Sequence, residues 1–154
     1  MNELWPGIGT LAGIAFGTLF GIPVAPLYIA AGAFWGLWAL PLVGAALCVH
    51  LISSAALTHS FLRPAIERLT QKFQKKLPDL ARVGPQKLTI MVRLVPGLPL
   101  FVQSYFLCLC NVPFAAYFSW SLVIQLLWAV GFVLAGGAFI KGQWVLLACI
   151  SLVL

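Results

Sequence analysis

The residues best able to do chemistry lie between Lys87 and Tyr105, in KLTIMVRLVPGLPLFVQSY. Arg93 is a permanent cation set in an apolar run, with Pro96 and Pro99 following at three-residue steps and Gln103 and Ser104 just beyond. A guanidinium offers planar N–H donors that suit phosphate. Prolines break helices, and a broken helix end exposes backbone N–H groups and the positive end of its dipole. Gln103 and Ser104 add hydrogen-bonding side chains. This combination points to a polar, anion-binding site partway through an apolar environment. The competing reading of Arg93 is structural: six residues from Lys87, it could snorkel to an interface or cap the carbonyls of a broken helix.

The rest of the chain must position that cation in lipid. Of 154 residues, 62% are hydrophobic, and only nine are Lys or Arg and three Asp or Glu. Mean hydropathy is +1.05. Soluble domains carry about 25% charged residues, so the composition predicts a polytopic all-α membrane protein. Leu4 to Leu62 has no Asp, Glu, Lys or Arg, and Leu88 to Ile140 has only Arg93. Each block is long enough for two passes at about 20 residues apiece. The net charge of +6 is concentrated between Arg63 and Lys87, which holds seven of the nine basic residues. That is a cytoplasmic-loop signature rather than a nucleic-acid surface. The chain therefore divides as one membrane domain, 1–154, with a first half 1–62, a basic connector 63–87 and a second half 88–154.

Along the chain, Leu4–Phe20 forms a first apolar segment, with Gly9, Gly13, Gly17 and Gly21 on one expected helical face. The N-terminus lacks a basic region and does not read as a cleaved signal peptide. Gly21–Leu40 contains Pro23 and Pro26, plus Gly32 and Gly36 at small-xxx-small spacing. It reads either as one kinked spanning helix or as a re-entrant hairpin. Pro41–Leu62 is a more regular span carrying His50, which is either a hydrogen-bonded neutral histidine or part of a proton relay. Arg63–Leu80 has the pattern of an interfacial amphipathic helix, with Ile66, Leu69, Phe73, Leu77 and Leu80 on its apolar face. The second block repeats the first: a proline-broken segment, Leu88–Leu109, leads through Asn111-Val112-Pro113 into a clean span, Phe114–Ala138. On that span Trp120, Ser121, Gln125 and Trp128 share a face that either lines a cavity or packs. The run after Lys141 is half a span long. Interrupted segments in corresponding positions of two halves indicate an inverted repeat with its site where they meet. The expected fold is thus two opposed re-entrant helical hairpins plus spanning helices.

RLVPGLP, with Arg93, Pro96 and Pro99, resembles the R-x-x-P-x-x-P signature of the DedA / VTT-domain family, also called SNARE-associated Golgi proteins. The family's first-half pattern is matched by Pro23, Pro26, Ala30, Ala31, Gly32, Ala33 and Gly36. The resemblance spans about Gly21 to Gly137. It implies two opposed re-entrant loops and movement of lipid across the bilayer, of undecaprenyl phosphate in bacterial relatives and phospholipids in eukaryotic ones. It also implies the bacterial inner membrane as the setting. The family usually carries an acid in or before the first proline loop, where this chain has none. It often carries Asn ten residues after the arginine, where this chain has Gln103, and a glycine in the turn beyond, where this chain has Cys108-Leu109-Cys110-Asn111.

The expected function is transport of an anionic lipid. The substrate would meet Arg93, Pro96, Pro99, Gln103 and Ser104 from the second half and Pro23, Pro26 and Gly32 from the first. Anionic headgroups and the bilayer are the expected partners, a homo-oligomer is left open, and no cofactor or metal is called for. The four cysteines read as small apolar fillers. An ion-coupled transporter of a small solute and a membrane-assembly protein are the alternatives. No carboxylate pair, oriented Ser–His arrangement or metal cluster suggests an enzyme.

Overall fold

The computed structural model describes residues 4–62, 84–95 and 98–140. The expected connector helix over 63–80, Pro96 and the run after Lys141 lie outside them. The regular elements described are helical: α1 (Leu4–Ala15), a 3-10 turn (Gly17–Phe20), α2 (Val24–Trp35), a second 3-10 turn (Gly36–Trp38), α3 (Ala39–Leu57), a π turn (Thr58–Leu62), α4 (Pro85–Leu94), α5 (Leu100–Leu109) and α6 (Phe114–Ile140). Two stretches, Val24–Ser60 and Phe114–Ala138, are long and apolar enough to cross a membrane.

Prolines start these helices rather than interrupt them. Pro23 and Pro99 are the N-caps of α2 and α5, with φ/ψ of −61°/130° and −57°/142°. Pro85 opens α4. A proline at a helix start loses no intrahelical bond, because the N–H it lacks would have no partner there. In Gly21–Leu40, read as either a kinked helix or a hairpin, the break therefore does not fall at the prolines. The proline pair begins an unbroken twelve-residue helix, and the chain turns before it, at Gly21, and after it, at Gly36. Both glycines take positive φ, 96° and 57°. Among the described residues the one non-glycine with positive φ is Asn111, at 54°, in the turn that follows α5. Asn tolerates the left-handed conformation better than most residues.

The two halves thus share one element order: short helix, break, short helix with a proline N-cap, turn, long helix. Leu88–Leu109 is broken as expected, with α4 ending at Leu94 and α5 starting at Leu100. Ten residues make about 15 Å of helix, half of a roughly 30 Å hydrocarbon core.

The glycine face expected on the first segment does not form, because α1 stops at Ala15 and Gly17 and Gly21 fall in the following turn. The close crossing lies between α2 and α6. A Cβ on Gly32 would collide with the Val133 carbonyl oxygen, and one on Gly136 with the Ile29 carbonyl oxygen. Gly32, expected near a substrate, is therefore a packing residue. Gly36 meets nothing within 4 Å and serves the turn.

Two apolar clusters form the core. One joins Ile14, Tyr28, Val43, Leu47, Leu100, Ala129 and Val133. The other joins Leu51, Ala55, Leu88, Leu107 and Tyr117. Along α3, His50 falls between Leu47 and Leu51. Along α5, Gln103 and Ser104 fall between Leu100 and Leu107, and along α6 Ser121 and Gln125 fall between Tyr117 and Ala129. These buried polar residues form a layer between the two apolar clusters, and α6 runs through it in the opposite sense to α3 and α5.

Candidate functional site

Arg93 lies one residue from the end of α4 and is only 2% exposed. It does not snorkel. Its Nε–H donates to Ser121 Oγ of α6 (2.9 Å), Nη2 donates to Ser104 Oγ of α5 (3.0 Å) and Nη1 donates to Gln103 Oε1 (3.4 Å). The Tyr117 ring lies with its centroid 5.7 Å from Arg93 Cζ, within reach of a cation–π contact. Residues ten and eleven positions beyond Arg93 can touch it only because the chain doubles back between α4 and α5.

Gln103 holds that bend together. Its Nε2 donates to the carbonyls of Leu98 (3.0 Å) and Val95 (3.5 Å), while its Oε1 accepts from Arg93. The amide orientation follows from chemistry, since arginine only donates and carbonyls only accept. Val95 and Leu98 are thereby fastened through Gln103 to the cation.

No described residue is an Asp or Glu. Hydrogen bonds to a charged group contribute about 1.5–3 kcal/mol each, so three of them offset much of a desolvation penalty of several kcal/mol. They leave the unit charge itself uncancelled. Three of the guanidinium's five donors are used in these bonds.

Arg93 borders a cavity of about 280 Å³. Gln103, Gln125 and Tyr28 supply its other polar groups, and Trp128, Phe132, Val95 and Leu98 its apolar wall. Val24 and Leu100, the first residues of α2 and α5, also line it. The first N–H groups of a helix have no intrahelical partner, so two helix starts meet at the space next to the cation. The volume sits near the lower end for ligand pockets, about 300–1,000 Å³, and suits a headgroup rather than a whole lipid.

The first half meets the second at this point. Tyr105 Oη on α5 donates to the Leu19 carbonyl (3.0 Å), and a Cβ on Gly21 would lie 3.3 Å from Phe101 Cε1. Tyr28 Oη reaches Gln125 Oε1 at 3.5 Å. On the opposite side of Arg93, Ser104 Oγ is 3.4 Å from His50 Nε2, and His50 Nδ1 is 2.8 Å from Thr18 Oγ1. Tyr117 Oη and Ser54 Oγ are 2.7 Å apart.

Of the residues expected at the site, Arg93, Gln103 and Ser104 come together, and Pro23 and Pro99 cap the helices whose first residues line the cavity. Pro26 lies in the first turn of α2 and does not line the cavity. Pro96 lies outside the described residues. His50 is fully buried behind Ser104. On α6, Ser121 holds Arg93, Gln125 and Trp128 line the cavity, and Trp120 is exposed. Sequence reasoning missed Thr18, Tyr28 and Tyr117. Only Tyr117 carried a usable signal, one helical turn before Ser121. No family model, curated protein or solved structure matches the chain.

Proposed function

We propose that this protein is a multi-pass membrane lipid transporter of the DedA / VTT type, moving an anionic lipid, undecaprenyl phosphate or a phospholipid, across a bacterial inner membrane. In this reading α1–α2 and α4–α5 are two re-entrant hairpins entering from opposite faces, and the two halves form an inverted repeat. The repeated element order, the half-span length of α4 and α5, and the meeting of Gly21 with Phe101 support it.

One observation carries the functional reading. Arg93 is buried, has no acidic partner among the described residues, and borders a cavity shared with the starts of α2 and α5. A buried cation held only by neutral acceptors attracts an anion strongly at low dielectric. Phosphate supplies the missing charge and accepts from the remaining guanidinium donors and from first-turn N–H groups. The apolar wall of Trp128 and Phe132 receives the part of the lipid next to the headgroup. A basic connector of seven Lys and Arg residues would gather anionic headgroups at the cytoplasmic face.

The test is reconstitution into proteoliposomes with labelled undecaprenyl phosphate and ordinary phospholipids side by side. Arg93→Ala is expected to abolish headgroup transfer while the purified protein keeps its helical content. Transfer at the wild-type rate in that variant would rule out the site.

A further inference from the structure

His50 is fully buried in the middle of α3, behind the residues that hold Arg93. Its hydrogen-bond geometry can be read for direction. Thr18 Oγ1 is 2.7 Å from the Ile14 carbonyl oxygen. A carbonyl only accepts, so the Thr18 hydroxyl proton lies in that bond. Thr18 Oγ1 can then only accept from His50 Nδ1 at 2.8 Å, which puts the imidazole proton on Nδ1. Nε2 is left as a bare acceptor, and Ser104 Oγ, 3.4 Å away, is the hydroxyl that reaches it. Ser104 in turn accepts from Arg93 Nη2 at 3.0 Å. Every donor along this line points the same way.

We propose that His50 is a positioning residue for Arg93: a one-way chain from Arg93 through Ser104, His50 and Thr18 to the Ile14 carbonyl holds the imidazole as its neutral Nδ1–H tautomer. The bare Nε2 takes the Ser104 proton. That leaves the Ser104 lone pairs facing Arg93 and fixes one edge of the guanidinium where it borders the cavity. A solvated neutral imidazole favours the Nε2–H form, so the tautomer is a signature that burial alone does not produce. The chain also crosses between the halves, from α4 and α5 through α3 to the end of α1.

The inference rests on the anion-binding reading of Arg93, and the test separates the two. The full chain, with His59→Gln leaving one imidazole, is labelled with ¹⁵N histidine in detergent micelles. The spectrum is expected to show a protonated Nδ1 and an unprotonated Nε2; an Nε2–H or doubly protonated ring overturns the proposal. Binding of dihexanoyl phosphatidic acid is then measured. His50→Leu is expected to weaken it about tenfold, the upper end of what one ordinary hydrogen bond is worth. His50→Gln, whose Oε1 can accept from Ser104, is expected to stay within about threefold of wild type. Wild-type affinity in His50→Leu, or equal losses in both variants, overturns it. If Arg93→Ala binds like the wild type, the underlying reading falls as well. An Nε2–H spectrum with binding still lost in Arg93→Ala overturns the positioning role alone.

Discussion

Asn111 turns the chain after α5 with φ 54°, and Gly36 turns it after α2 with φ 57°. A residue with positive φ follows the short helix in both halves. The asparagine thus stands where the family resemblance leads one to expect a glycine. Asn111→Gly is expected to leave stability unchanged or slightly raised. Asn111→Val should cost about 1–2 kcal/mol, the penalty of a left-handed residue with a branched Cβ. Thermal unfolding in detergent checks both.

Arg93 uses all three of its nitrogens, on three different side chains. Lysine carries the charge on one nitrogen and cannot reproduce that fork. Arg93→Lys is expected to lower phosphate binding by at least tenfold, about 1.4 kcal/mol, without unfolding the protein. Titration with dihexanoyl phosphatidic acid, paired with circular dichroism, measures both.

Ser121 accepts from Arg93 Nε at 2.9 Å and is fully buried. Ser121→Asp sets a carboxylate against the guanidinium and cancels the charge that an anion would otherwise meet. The variant is expected to fold and to lose phosphate binding. Retained binding would show that the uncancelled charge is not what attracts the ligand.

Gly32 and Gly136 face backbone, which cannot rotate aside. Gly32→Ala is expected to destabilise by about 1–3 kcal/mol, the usual cost of overpacking. Gly44→Ala is the control. Its new methyl would lie 3.5 Å from Leu126 Cδ2, an ordinary contact, and alanine favours the helix by about 1 kcal/mol over glycine. Opposite signs in the two variants are the expected outcome.

Much of the site was legible because polar residues in an apolar chain are few. Arg93, Gln103 and Ser104 stand out by chemistry alone, and Ser121, Gln125 and Trp128 by sharing a helical face. The helix boundaries were harder. Proline breaks a helix from within and also starts one, and spacing does not say which. Pro23 and Pro99 start helices, while Gly21 and Gly36 make the turns. Helices α3 and α6 are apolar around most of their circumference, so hydrophobic periodicity says little about which face meets a neighbour. Gly32, on α2, read as part of a ligand site through the family pattern, although what decides its role is the Val133 carbonyl across the crossing. Thr18 gave no signal, since its importance comes from His50, 32 residues away.

The crossing of α2 and α6 has a mechanical consequence. With Gly32 against Val133 and Gly136 against Ile29, the two helices touch backbone to backbone, leaving no side-chain layer to act as a lubricant. They form one strut. The cavity wall formed by Val24, Tyr28, Gln125, Trp128 and Phe132 belongs to that strut, whereas Arg93, Leu98 and Gln103 belong to the second pair of short helices and its approach. The Arg93–Ser121 bond is the clasp that joins the two walls.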